Sequence, residues 1–438
     1  MSRLRRSALS SVSVSLLLML LGLFTGVAAA RILGPEQRGF LGIIVFWTQL
    51  LANAFRLPFS EGLLVYCRHA GGDDRKNLAW SAARAAEQIA MILAICAVPV
   101  AAGILYLVAS RQDLPHFGLA VALLVLTLFS RTQNEVFMGL LYVERRFDLI
   151  NVSRIVVPAT YGAGVTIIVI GGYGIEGFLV AQCVSMIAIF LFRLYHYPKR
   201  PEVTRVLDAP RSIFGVAVSL QWLTLVTLVT KQIDKLLLFS FAPVAFVGHY
   251  IVAFTLLTPT QSIINTALST IGLPAFASLA PDNRAGAARR MLRAATSAST
   301  LTTAAVALVA LPVVPIIFGS AYTEAAWITV VLSLAIMLQP VRTAASQILK
   351  ALGQVRMILF SELVFAVCFA TCYFALSGND LLWRVAAGFL LANLCGLAVL
   401  ATALRACLPD LRTRDWIWPT RQSILEVVTL VLPTRWHR

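Results

Sequence analysis

Polar residues along this chain come as short interruptions between long apolar runs. The runs fall near 8–30, 40–66, 78–109, 117–142, 152–171, 175–195, 212–240, 249–279, 294–318, 326–349, 357–377 and 381–404. Each is close to or above the ~20 residues that an α-helix needs to cross a bilayer. The breaks include 68–77, 144–151, 196–211 and 281–293. The pattern predicts an all-α integral membrane protein of about twelve transmembrane helices.

Composition agrees. Of 438 residues, 59% are hydrophobic and 13% charged, where a soluble chain carries roughly 25% charged residues. Lipid must supply the surface that polar residues would otherwise cover. The net charge of +16 would suggest a nucleic-acid partner in a soluble protein. Here its placement excludes that reading. With the N-terminus inside, 26 of the 36 Lys and Arg fall on inner segments and four (Arg31, Arg38, Arg111, Arg384) on outer loops. The positive-inside rule accounts for such a split, so both termini are expected in the cytoplasm and the number of spans is even. Arg3, Arg5 and Arg6, an apolar run and Ala28-Ala29-Ala30 imitate a cleaved signal peptide. The run exceeds the usual 7–15 residue core, and cleavage would leave an odd number of spans.

The connections speak against catalysis. The outer loops stay within about ten residues, an ordinary length for simple connections. The sequence has no GxxxxGK[ST] phosphate loop, no HExxH and no CxxC. The five histidines do not cluster, and the seven cysteines show no metal or redox spacing. Cys368 and Cys372 are one turn apart in an apolar run. The expectation is a protein that is not an enzyme and needs no cofactor or metal.

The spans divide into two halves, 1–195 and 212–404, joined by a basic cytoplasmic linker at 196–211 and followed by a tail at 405–438. The halves echo one another. Arg31-Ile32-Leu33-Gly34-Pro35-Glu36-Gln37-Arg38-Gly39-Phe40 closes the first span, and Phe241-Ala242-Pro243-Val244-Ala245-Phe246-Val247-Gly248-His249-Tyr250 closes the seventh. Each has proline, glycine four or five residues later, then an aromatic. Proline ends a helix, glycine permits a sharp reversal, and the ring suits the interface. Repeated halves are a transporter device, with a central cavity opened to alternate sides. The tail holds Arg412, Arg414, Trp416, Trp418 and Arg421, then a stretch Ile424–Leu432 too short to span. It reads as a segment lying on the inner membrane face, with partner docking as the alternative.

These residues carry a resemblance. The chain resembles the oligosaccharide flippases, which translocate O-antigen and exopolysaccharide units, of the multidrug/oligosaccharidyl-lipid/polysaccharide (MOP) exporter superfamily. That family's first outer turn commonly reads Gly-Pro-Glu-x-x-Gly-aromatic, as in Gly34 to Phe40. Its seventh span commonly carries Asp before an apolar run and then Gly-x-Tyr, here Asp234 to Leu238 and Gly248-His249-Tyr250. A third echo is Phe318-Gly319-Ser320-Ala321-Tyr322 with Ala325-Ala326. The resemblance covers nearly the whole chain up to the tail. It implies two six-helix halves around a central cavity (a MOP/MATE-like fold), a multi-pass location in the bacterial inner membrane, and a lipid-linked oligosaccharide as substrate. A polysaccharide polymerase or glycosyltransferases are the implied partners besides membrane lipids.

Charges within the spans are the candidate chemistry, because each costs at least ~2.5–3.5 kcal/mol near the bilayer centre. The cations are Arg56, Arg84, Arg131, Lys231, Lys235 and Arg342; the acids are Glu61, Glu87, Glu135, Asp234 and Glu362. Helical spacing suggests pairs Arg131/Glu135, Lys231/Asp234 and Arg84/Glu87. Arg56 and Arg342 lack an acid at three or four residues and lie beside Pro58 and Pro340, where a kink opens space next to a cavity. Both are expected to face the cavity, with structural pairing to another helix as the alternative. Arg56, Arg342, Arg131, Lys231 and Lys235 are the candidates for holding a pyrophosphate, arginine by paired donors and lysine as a point charge. Asp234, Glu61 and Glu135 are the candidates for ion coupling. Trp47, Trp222 and Tyr161 could stack on sugars, although packing is the commoner role. Two rivals stand beside a flippase. One is a proton- or sodium-coupled drug antiporter of the same superfamily, which should favour acidic membrane residues. The other is a non-transporting scaffold, which has no need of mid-membrane arginines.

Overall fold

A computed structural model describes residues 2–67, 72–197, 209–268, 276, 281–376, 378 and 380–411. Most of the basic linker and, from Arg412 on, the tail lie outside the described residues. The described residues are helical and contain no strand, as an all-α membrane fold requires, because a backbone in lipid must satisfy its own hydrogen bonds. Among the described residues ten helical stretches are long and apolar enough to cross a membrane, and Val244–Pro259 is a shorter apolar helix. The first stretch, Leu17–Tyr66, has 50 residues, enough for two crossings.

The chain forms two compact units. The first comprises Met1–Leu228 with Pro243–Gly248, the second Val229–Ala242 with His249–Arg438. In chain order the helices are α1 (Ser2–Phe55), α2 (Phe59–Tyr66), α3 (Gly72–Gln112), α4 (Phe117–Val143), α5 (Phe147–Gly171), α6 (Ile175–His196), α7 (Ala209–Lys231), α8 (Ile233–Phe241) and α9 (Val244–Ala267). They continue as α10 (Pro281–Phe318), α11 (Thr323–Ala335), α12 (Gln339–Ala351), α13 (Val355–Ala375) and α14 (Leu381–Cys407). Among the described residues three spans are broken: residues 56–58 separate α1 from α2, Gln232 separates α7 from α8, and Ile336–Leu338 separates α11 from α12.

Small residues set the packing in the first unit. Ala79, Ala82, Ala83, Ala86 and Ala90 form a buried stripe on α3. In lipid the hydrophobic effect does not drive helices together, so close approach over small residues does. The stripe packs with Phe59, Leu63, Val136 and Leu140 of α2 and α4. In the second unit Leu292, Ala344, Ile348, Leu400 and Leu404 join α10, α12 and α14.

The two echoing turns meet within the first unit, and their glycines act differently from the sequence expectation. Gly34 alone has a positive φ there, +68°, and kinks α1 ahead of Pro35. Gly39 and Gly248 serve close approach. A Cβ on Gly39 would strike the main-chain oxygen of Val244, and one on Gly248 would strike that of Pro35. Val244 and Pro35 each lie four residues before the glycine of their own turn, so the crossing is reciprocal.

Candidate functional site

The polar groups of the first unit converge where α1 gives way to α2. Residues 56–58 are not helical, because Pro58 cannot continue the α1 hydrogen-bond ladder. Gln221 of α7 caps the break, donating its amide to the Ala54 carbonyl at 2.5 Å. Freed from the helix surface, the Arg56 guanidinium reaches Glu135 of α4 at 2.7 Å; its side chain is 32% exposed and that of Glu135 10%. Ser60 bridges Glu135 and Glu61. Gly139, one turn beyond Glu135, brings α2 close: a Cβ there would lie 2.9 Å from Ser60 Cα and 2.8 Å from a Leu63 methyl.

Arg56 therefore has an acidic partner from another helix, the alternative to a side chain that only faces a cavity. Arg131 and Glu135 do not form the local pair their spacing suggested. Arg131 instead donates to the Asn53 side-chain carbonyl at 2.9 Å. It is half-buried at the middle of α4, its partner among the described residues is a neutral amide, and it lies close enough to Arg56 for the two charges to repel. Among the described residues Arg131, not Arg56, is the cation of this cluster without a carboxylate partner.

In the second unit Arg342 of α12 is also paired, contrary to its expected cavity-facing role. Its guanidinium lies 3.3 Å from Glu362 and is 7% exposed. It donates to Asn393 at 3.0 Å and stacks over Phe365, 4.4 Å from the ring centre. Gly396 leaves it room, since a Cβ there would lie 2.9–3.2 Å from the guanidinium. Asp234 is buried and accepts the Tyr250 hydroxyl at 2.5 Å, replacing the expected Lys231/Asp234 pair. Lys231 is exposed. Lys235 donates to Gln232 at 2.8 Å and lies over Phe254.

The third local pair is also replaced. Glu87 of α3 binds Arg193 of α6, a residue the charge count had placed on the inner side, while Trp80 donates to Glu144 at 3.0 Å. Tyr197, just past α6, sits edge-on to Trp80 and under Arg193; burial and then the Glu87 carboxylate push its phenol up from the usual range. Among the proposed stacking aromatics, Trp47 is buried and Trp222 is 70% exposed. The partners Asn53, Ser60, Tyr250, Phe365 and Asn393 were missed. Mid-span Asn and Ser, costly in lipid unless bonded, were the available signal.

Among solved structures, the chain is similar to the lipid II flippase MurJ in an inward closed conformation. The identity is 14%, over 96% of this chain and 91% of that one, with a TM-score of 0.71. It is similar also to an inward-facing multidrug resistance MATE family transporter of the MOP superfamily, with 16% identity over 91% and 98% of the chains and a TM-score of 0.72. A MOP superfamily transporter from Pyrococcus furiosus gives 14% identity over 93% and 95%, with a TM-score of 0.57. At these identities the likeness shows the fold. No curated protein matches the chain. The sequence profile of one family, described as polysaccharide biosynthesis protein, matches residues 28–327, more than half of the chain. With its MOP-type membrane fold, the chain therefore belongs to the polysaccharide biosynthesis protein family.

Proposed function

We propose that this protein translocates a prenyl-pyrophosphate-linked oligosaccharide from the cytoplasmic to the outer leaflet of the bacterial inner membrane, alternately exposing its binding groups to the two sides. The observation that carries the reading is Arg131. A half-buried guanidinium at mid-span, held by an amide and repelled by a second arginine, keeps N–H donors for an anionic ligand. A pyrophosphate supplies negative charge and the oxygens for paired N–H donors. Arg56, one-third exposed beside it, can add a second contact, and the prenyl tail stays in lipid. Lys235, which donates to the neutral amide of Gln232, and the exposed Lys231 are further candidate cations, both in the second unit. Membership of a polysaccharide biosynthesis family agrees with such a substrate. A polymerase or glycosyltransferase handling the same lipid-linked intermediate is the partner this reading implies. The charge count supports cytoplasmic termini.

The test is flipping of a fluorescent prenyl-pyrophosphate saccharide in proteoliposomes. Arg131→Gln should abolish transport with normal protein abundance, because losing a charge without a carboxylate partner relieves a desolvation cost. Arg131→Lys should restore it in part. Undiminished flipping by Arg131→Gln would refute the role, and efflux of cationic dyes without saccharide flipping would favour drug antiport.

A further inference from the structure

Helix α4 changes its open side at mid-span. Between Ala120 and Ser130 the positions left open are Val121, Ala122, Val125, Leu126 and Phe129, all apolar and suited to lipid. From Arg131 to Val143 the open positions are Arg131, Asn134, Met138 and Tyr142, and every other residue of that stretch is buried. At 3.6 residues per turn the nine residues from Ala122 to Arg131 make about two and a half turns. The second stripe therefore lies on the opposite side of the helix. Arginine and asparagine at mid-span are costly against hydrocarbon, so this stripe is not a lipid face.

Hydrogen-bond accounting separates the two asparagines near Arg131. The Asn53 side-chain carbonyl is taken up by Arg131 at 2.9 Å. The Asn134 Oδ1 is buried and has no partner among the described residues. A carboxamide both donates and accepts, and a buried polar atom left without a bond is costly. Asn134 thus keeps bonding capacity in reserve. It stands one turn from Arg131 on the same stripe, and side chains at that spacing have Cβ atoms about 5–6 Å apart.

The chemistry of the ligand matches this arrangement. In a prenyl-pyrophosphate saccharide the phosphate is bonded to C1 of the first sugar, so the group on C2 is the nearest polar substituent of the ring. That group is a hydroxyl or an acetamido group, and either one donates and accepts. Whichever way the Asn134 amide turns, it finds a complement. We propose that Asn134 determines specificity by bonding the C2 substituent of the first sugar while Arg131 holds the pyrophosphate, the rest of the saccharide lying along Met138 and Tyr142 toward the inner end of α4. This rests on the reading of the protein as a flippase of lipid-linked saccharides, and it names the part of the sugar that is recognised.

The experiment is flipping in proteoliposomes of two fluorescent prenyl-pyrophosphate monosaccharides, one carrying glucose and the other 2-deoxyglucose. The unaltered protein should flip the glucose compound at least tenfold faster, because a site built to bond a hydroxyl rejects the analogue that lacks it. Asn134→Leu should lose that advantage and flip both at the slower rate. Arg131→Gln should slow both compounds alike. Asn134→Gln, whose amide is displaced by one methylene, should show a reduced preference and serves in place of the leucine variant if that one does not fold. Equal rates for the two compounds on the unaltered protein, or an undiminished preference in the Asn134 variants, would overturn the proposal and leave the pyrophosphate reading standing. Flipping of neither compound by the unaltered protein would overturn that reading and this proposal with it.

Discussion

The arginine of the first unit's cluster and that of the second begin from the same sequence pattern and end in different states. Arg56 and Arg342 are both mid-run, both beside a proline, and both without an acid at helical spacing. Each finds a glutamate on another helix, with a glycine nearby making room. Arg56 nevertheless stays one-third exposed on a non-helical hinge, whereas Arg342 is sealed between Phe365, Asn393, Glu362 and Gly396. The proline position accounts for the difference. Pro58 follows Arg56 and takes it off the helix. Pro340 precedes Arg342, which stays within α12 and points into packed neighbours. One arginine stays open to a ligand or water, and the other holds three helices together.

The comparison breaks if Arg342 proves dispensable. Arg342→Ala should cost about 3–5 kcal/mol, the range for stranding one partner of a buried ion pair, read as lost abundance and a lower unfolding temperature. Adding Glu362→Gln should recover part of it. Next come the glycines. Gly396→Ala should cost about 1–3 kcal/mol by overpacking, since the guanidinium it meets is pinned. Gly139→Ala should cost a similar amount and also lower transport, because its new methyl meets the Ser60 backbone and pushes α2 from Glu135. The smallest stability effect belongs to Arg56→Ala, about 1–3 kcal/mol, because it strands the buried Glu135 carboxylate while the arginine itself is one-third exposed, and transport should fall at least tenfold. A stability loss at Arg56 as large as at Arg342 would erase the distinction.

Much of the fold was legible. The apolar runs marked the crossings, and the break after Arg56 was foreshadowed by Pro58. The pairing of charges was not legible. Spacing suggested Arg131/Glu135, Lys231/Asp234 and Arg84/Glu87, and each acid took a partner from elsewhere: Arg56, Tyr250 and Arg193. A pair along one helix gains about 0.2–0.5 kcal/mol, too little to hold a carboxylate that a neighbouring helix can satisfy out of water. Such choices depend on which helices touch, and a linear pattern does not contain that.

The reciprocal crossing of the echoing turns carries a consequence for how this sequence can change. Each glycine is small because of the other turn's backbone, so neither turn is free to drift alone. A methyl group gained at Gly39 presses on Val244 and spoils the bed on which Gly248 meets Pro35. The likeness between the two turns is thus more than a trace of repetition: each turn serves as the mould of the other, and the pair must be inherited as one object.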